Sequence, residues 1–273
     1  MKPSRHGRIH LSLQPRDVEL LRLLLSRFGL LTRQQICQLF PERGLRRTNR
    51  RLRLLITAGY LSRRSPTGYL IQRVPIYGLG PKAFEALNLD PRDSALVARR
   101  KQAAHLADRA LPHFILTNAA HIKFLATERE DPDFKLITWI PGYDSLWNHL
   151  AEYDFPLRPD AYLEYQKDGL VFPSFLELDR GTERAPRLHE KLAAYDEYAT
   201  GGGFTAQFGR ERFRVLFIAP TARRRDTLLA AVARYQLDLF WIATFDDFST
   251  HHLFNSLWRS SASERFLSLS APV

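Results

Sequence analysis

The chain has 273 residues, 45% hydrophobic and 12% aromatic, which fits folded protein with enough material for about two domains and argues against a disordered chain. No apolar run approaches the ~18 residues that span a bilayer, and the opening Met-Lys-Pro-Ser-Arg-His leads into no signal-peptide core, so a cytoplasmic protein without membrane attachment is expected. A single cysteine, Cys37, excludes a disulfide framework or a zinc-finger thiolate set and, in its apolar stretch, reads as a small core thiol.

The net charge of +11 is unevenly placed. Residues 1–80 hold 16 Lys+Arg against 3 Asp+Glu, a balance of +13, whereas the other 193 residues hold 24 against 26, a balance of −2. A basic excess confined to one end of a folded chain points to a polyanionic partner there, with double-stranded DNA the first expectation and a merely solvated basic face the alternative.

After a basic arm with Arg5 and Arg8, the sequence predicts three helices, at 15–28, 32–40 and 45–58. Pro15 suits a first helical turn, and Leu20, Leu21, Leu24, Leu25 and Phe28 form an apolar stripe before the stop at Gly29. Thr32 and Gln35 have the spacing of a capping box. In the third helix each residue advances ~100°. With Leu52 at the centre of the buried face, Leu45, Thr48, Leu55 and Ile56 join it, and Arg46, Arg47, Arg50, Arg51 and Arg53 fall on the far side. Two β-like runs follow, 60–64 and 69–78, joined by the turn sequence Ser65-Pro66-Thr67-Gly68. Helix, helix, basic helix, hairpin is the order of a winged helix-turn-helix. Its third helix fits a major groove, where Arg46, Arg50 and Arg53 share the flank best placed for base edges and Asn49 pairs with adenine if it faces outward. Arg63, Arg64 and Arg73 on the wing are candidates for phosphate contacts.

A short helix is expected at 81–87 and a boundary at Asp90-Pro91-Arg92-Asp93. A long helical segment then runs from about Ser94 to Leu125 with an interruption at Pro112. His105, His113 and His121 recur every eight residues, but without a HExxH pair they read as core or hydrogen-bonded histidines.

Beyond Asp133 the pattern becomes α/β. Strands are expected at 134–140, 213–219 and 239–245, helices at 183–198 and 221–235, and a hairpin at 160–178 turning at Lys167-Asp168-Gly169. Gly201-Gly202-Gly203 lacks the Lys-Ser/Thr of a phosphate loop, and no GxSxG occurs. The hairpin register places Asp160 across from Glu177, and Asp179 lies two residues further along the strand, so three carboxylates converge. Such a cluster favours a bound Mg2+ or Mn2+ of the kind that serves phosphodiester cleavage. Equally open is an edge hairpin whose acids meet water or arginines such as Arg158 and Arg180.

Three stretches, Arg158-Pro159-Asp160-Ala161, Phe175-Leu-Glu-Leu-Asp-Arg-Gly-Thr-Glu183 and Lys191-Leu-Ala-Ala-Tyr195, together resemble the signature of the bacterial replication-relaxation family. That resemblance implies an α+β chain in which an N-terminal winged helix-turn-helix precedes a PD-(D/E)xK nuclease-like α/β domain. It also implies DNA handling in the replication or mobilisation of plasmids and other mobile elements; an adaptor that recruits a relaxase or replication initiator through its C-terminal domain, and a non-enzymatic transcription or copy-number regulator, are the alternative readings. Asp160 and Glu177 match the metal-binding acids of that pattern, but Asp179 stands where its lysine belongs. Lys191, on the helix that follows, shares a face with Arg184, Leu188, Tyr195 and Tyr198 and is the candidate substitute. Two outcomes stay open: a nuclease with Asp160, Glu177, Asp179 and Lys191 in its site, or a domain that keeps the fold to bind DNA or protein. The expected division is an arm (1–14), the winged helix-turn-helix (15–92), a helical connector (93–130), the nuclease-like domain (131–250) and a tail (251–273).

Overall fold

The computed structural model describes residues 11–42, 44–66, 74–90, 92–142, 158–235 and 238–271. Arg5, Arg8 and Arg73, the Thr67-Gly68 turn and the first part of the second wing strand lie outside the described residues. The chain divides into two compact units, Met1–Ile122 and Lys123–Val273. Among the described residues no helix is long and apolar enough to cross a membrane.

In the first unit, α1 (Pro15–Leu23) carries Pro15 in its first turn and continues into a π-helical stretch, Leu24–Phe28, that Gly29 closes. A short strand β1 (Leu30–Thr32) follows. Thr32 then caps α2 (Arg33–Leu39) by the expected box: Gln35 N donates to Thr32 Oγ1 at 3.2 Å, and Thr32 N donates to Gln35 Oε1 at 3.0 Å. After α3 (Leu45–Thr57), strands β2 (Leu61–Arg64) and β3 (Ile76–Leu79) pair antiparallel. The three-stranded sheet has the order β1-β3-β2. The helix, helix, basic helix, hairpin order is therefore present, with β1 as an additional strand too short to leave a period in the sequence.

α4 (Ala83–Ala86), α5 (Ser94–Ala104) and α6 (Leu111–Glu130) complete the helical region. The break between α5 and α6 falls before Pro112 and not at it, because the proline occupies the first turn of α6, where its missing N–H removes no bond. Residues 93–130 do not form a separate connector. The division between units falls within α6, and its first half is tied into the first unit. Asn118 Nδ2 donates to the Phe28 and Leu30 carbonyls at 3.0 and 2.8 Å, and Gln35 Nε2 donates to the Ile115 carbonyl at 2.8 Å. His121 is a core histidine beside Phe28, with ring centroids 5.0 Å apart. Burial, with Arg27 adding to it, pushes its pKa down to about 3.

The second unit is built on a seven-stranded mixed sheet of order β10-β9-β8-β7-β6-β5-β4. Strands β4 (Phe134–Pro141), β5 (Ala161–Lys167) and β6 (Leu170–Leu178) form an antiparallel meander. The crossover through α7 (Ala185–Thr200) and the short α8 (Gly203–Phe208) sets β7 (Arg214–Ala219) parallel to β6. A second crossover, α9 (Ala222–Val232), sets β8 (Phe240–Thr244) parallel to β7. Beyond α10 (Phe245–Thr250), β9 (Trp258–Ser260) and β10 (Ser263–Leu267) extend the sheet antiparallel. Residues 251–273, set apart in the sequence as a tail, thus supply the last two strands, with Leu257, Trp258 and Leu269 buried.

The core below α7 is aromatic. Tyr162, Phe175, Phe213 and Phe217 of the sheet side pack with Leu188, Leu192 and Tyr195 of α7, and the rings of Phe175 and Phe213 meet edge to face at 5.1 Å. Arg214 is fully buried, its guanidinium 4.0 Å from the Trp241 ring centroid and bonded to the Leu269 carbonyl at 2.7 Å, to the Ala271 carbonyl and to Tyr165 Oη at 3.2 Å. It holds residues 269–271 against the sheet.

Candidate functional site

The hairpin turns at Asp168 and Gly169, both with positive φ (51° and 80°), the conformation a two-residue connection requires. That turn fixes the pairing Lys167↔Leu170 and, by alternation, Ala161↔Leu176. Asp160 extends the ladder one residue further: its N–H donates to the Leu176 carbonyl at 2.9 Å, and its carbonyl accepts from Gly142 N at 2.8 Å. A Cβ at Gly142 would run into the Pro159 carbonyl, so the end of β4 reaches the Pro159-Asp160 dipeptide only as glycine. One carboxylate oxygen of Asp160 accepts from Leu178 N at 2.7 Å.

Glu177 lies two residues from Phe175 and so faces α7, where it is 4% exposed. Lys191 Nζ donates to its Oε2 at 3.0 Å, and Tyr195 Oη donates to its Oε1 at 2.7 Å. Lys191 also reaches Glu183 Oε2 at 3.3 Å. Burial drives the Glu177 pKa up to about 7; the Lys191 charge opposes that rise, the Asp160 charge adds to it and the Tyr195 hydrogen bond opposes it. Burial works against the Lys191 ammonium, but Glu177 and Glu183 outweigh it and raise its pKa. The Tyr195 phenol is raised well above its ordinary value by burial and by Glu177.

Of the four residues expected in this site, Asp160, Glu177 and Lys191 come together and Asp179 does not. Its carboxylate pairs with Arg224 of α9 and accepts from Gly181 N at 2.7 Å. The three-carboxylate metal cluster of Asp160, Glu177 and Asp179 is accordingly not formed, and among the described residues no group of three or more His, Cys, Asp or Glu side chains is arranged to hold a metal. Glu183 and Tyr195 are the members not assigned a role from sequence. Tyr195 had the signal of helical spacing, one turn after Lys191, whereas Glu183 precedes the first residue of α7 and had none.

On α3, Thr48, Leu52 and Leu55 are buried, and Arg46, Arg47, Arg50 and Arg53 are exposed. Two arginines expected on the DNA face are engaged within the unit. Arg51 grips Asp17 of α1 through Nε, 3.0 Å from each carboxylate oxygen, and through Nη2, which also donates to the Ser12 carbonyl at 2.8 Å. Arg64 donates to the Leu106 carbonyl at 2.5 Å and pairs with Asp108. Arg63 is exposed and Asn49 half-buried. Leu45, expected in the buried face, is 52% exposed, because it opens the helix directly after Gly44 and has no preceding turn to cover it.

Fold and site together define an α+β protein with a basic helical unit and a second, mixed-sheet α/β unit carrying a carboxylate–lysine cluster. The chain belongs to the replication-relaxation family, whose model matches residues 21–210. A comparison with curated proteins finds no match. A solved structure of the restriction endonuclease FokI bound to DNA is similar at 10% identity and a TM-score of 0.28, over 85% of this chain and 43% of that one; the chain thus spans under half of that enzyme's length.

Proposed function

We propose that this chain is a cytoplasmic DNA-binding protein of plasmid or mobile-element replication and relaxation, and that its second unit cuts a DNA phosphodiester bond. The α3 arginines Arg46, Arg47, Arg50 and Arg53 dock a winged helix-turn-helix on duplex DNA, with Arg63 on the wing. The observation that carries the cleavage reading is Lys191 Nζ at 3.0 Å from Glu177, which brings a lysine to the acid pair although Asp179 occupies the motif position.

Asp160 and Glu177 fit a magnesium or manganese site of the two-carboxylate kind, in which water and substrate phosphate complete the shell. The Asp160 charge raises the Glu177 pKa, a repulsion that a cation would relieve. Such an ion would offset charge on the scissile phosphate and orient the attacking water. Lys191 serves the charge that develops on the phosphate, Tyr195 and Glu183 set the positions of Glu177 and Lys191, and the aromatic core beneath excludes water from that side.

Supercoiled plasmid DNA incubated with the protein and Mg2+ or Mn2+ is expected to become nicked or linear, with EDTA or Lys191→Ala abolishing the reaction. No cleavage with either ion would favour a second reading, a non-enzymatic transcription or copy-number regulator or an adaptor that recruits a relaxase or replication initiator. The capture of Asp179 by Arg224 speaks for that reading.

A further inference from the structure

Phe266, on the edge strand β10, stays 43% exposed although two guanidinium groups flank its ring, Arg225 at 5.6 Å and Arg259 at 5.1 Å from the centroid. Arg225 is held in place, its side chain 14% exposed and bonded to Asp226 through Nε and Nη2 at 3.0 Å. A partly exposed aromatic ring flanked by two guanidinium groups on a folded domain offers stacking area with charge ready for a polyanion.

Its place in the fold relates it to the carboxylate cluster. Asp179 follows Glu177 by two residues and pairs with Arg224, and the next residue, Arg225, lies over Phe266. Asp179 N donates to the Ile218 carbonyl at 3.1 Å and a Cβ at Gly181 would lie 3.4 Å from Pro220 Cγ, so the β6–α7 and β7–α9 loops adjoin at the carboxyl ends of the parallel strands, where open α/β sheets bind their ligands. Arg180 and Arg223, one on each loop side, are exposed. Beside Phe266 opens a cavity of about 620 Å3, lined also by His251 and Asn255, which offer polar groups to a heterocycle edge.

We propose that Phe266, with Arg225 and Arg259, is a stacking platform for an unpaired DNA base, so that the second unit binds single-stranded DNA beside its carboxylate cluster. The strand must be unpaired because neighbouring bases cover both faces of every base inside a duplex. Arg180 and Arg223 then meet the backbone between the platform and the cluster. This rests on the reading that the second unit handles DNA, but it concerns binding alone.

The test uses the full chain in EDTA, where cleavage plays no part, with Arg46, Arg50 and Arg53 replaced by Ala to silence α3. Anisotropy of a short fluorescein-labelled oligo(dT) reads affinity. Phe266→Ala and Phe266→Leu are each expected to weaken binding roughly five- to hundredfold, the value of one stacked base, and Phe266→Trp to retain it. In the chain with its α3 arginines intact, duplex affinity is expected to be unchanged by Phe266→Leu. Wild-type oligo(dT) affinity in Phe266→Leu, with thermal melting intact, would overturn the proposal, as would an equal loss for duplex and single strand. Failure of the separate plasmid assay to show nicking would leave these binding outcomes unaffected, so the platform and the nuclease stand or fall independently.

Discussion

Lys191 and Glu177 are 3.0 Å apart, and Glu183, 3.3 Å from the same ammonium, lets the lysine keep a carboxylate partner even when Glu177 is protonated. Burial lifts the Glu177 pKa above the ordinary glutamate value to about 7. A group whose folded pKa exceeds its unfolded pKa contributes stability that is full below the unfolded value and is lost as pH rises through the folded one. Between about pH 5 and about pH 8 the wild type should therefore lose stability relative to Glu177→Gln. Urea midpoints followed by tryptophan fluorescence check this; parallel curves for the two proteins across that window would contradict it.

Arg51 and Arg50 are neighbours on α3 with opposite assignments. Asp17→Ala or Arg51→Ala should destabilise the first unit by about 2–3 kcal/mol, because each leaves a charged partner in a mostly buried, hydrogen-bonded site. Replacing Arg46, Arg50 and Arg53 together should leave the melting temperature in place and weaken duplex binding by several kcal/mol, at ~1–3 kcal/mol per base contact. Gel-shift titrations paired with thermal melts separate the two classes. If Arg51→Ala keeps full stability and loses DNA, its assignment as a strut is wrong.

Salt dependence tests the same face in another way. The slope of log Kobs against log salt falls by ~0.9 for every phosphate a cation neutralises, so each of Arg46, Arg47, Arg50, Arg53 and Arg63 that touches phosphate should flatten it by about that amount when replaced by Ala. Arg64→Ala should leave the slope unchanged, since its guanidinium is spent on Leu106 and Asp108.

What was legible in the sequence was set by neighbours in the chain. The Thr32–Gln35 cap, the α3 wheel and the Asp168-Gly169 turn are local, and the turn with strict alternation placed Asp160 across from Glu177. Lys191 was legible because helical spacing put it on one face with Leu188 and Tyr195. The fates of Arg51, Arg64 and Asp179 were not, since their partners Asp17, Asp108 and Arg224 lie 34, 44 and 45 residues away, beyond the reach of any periodicity. The strands β1, β9 and β10 were missed for a related reason: they are three to five residues long, and the pairing partner decides their state more than their own composition does.

Arg214 closes the second unit by gripping the Leu269 and Ala271 carbonyls between Trp241 and Phe172. Arg214→Leu should cost about 3–5 kcal/mol, because Tyr165 Oη and the two carbonyls lose a buried cationic donor. Limited proteolysis is expected to remove residues near 269 first in that variant. Equal protease resistance of variant and wild type would show that the clamp is dispensable.

The remaining prediction separates the acid pair from the third acid. If Asp160 and Glu177 hold a divalent ion, Mg2+ or Mn2+ at tenfold its dissociation constant should stabilise the folded chain by ~1.4 kcal/mol, since the ion binds the folded state and not the unfolded one. For a chain of this size that corresponds to a rise in melting temperature of about 3–6 °C. Asp160→Asn combined with Glu177→Gln should abolish the rise. Asp179→Asn should not, because that carboxylate is committed to Arg224 and Gly181 N. Lys191→Ala should keep the rise or enlarge it, since the ammonium competes with the ion for Glu177, and it should still remove cleavage if the lysine serves the transition state. Scanning calorimetry with and without the ion reads all four outcomes. A rise lost in Asp179→Asn but kept in the double variant would move the metal site to the other side of the Arg224 pair, and no rise in the wild type would leave Asp160 and Glu177 as a purely structural pair.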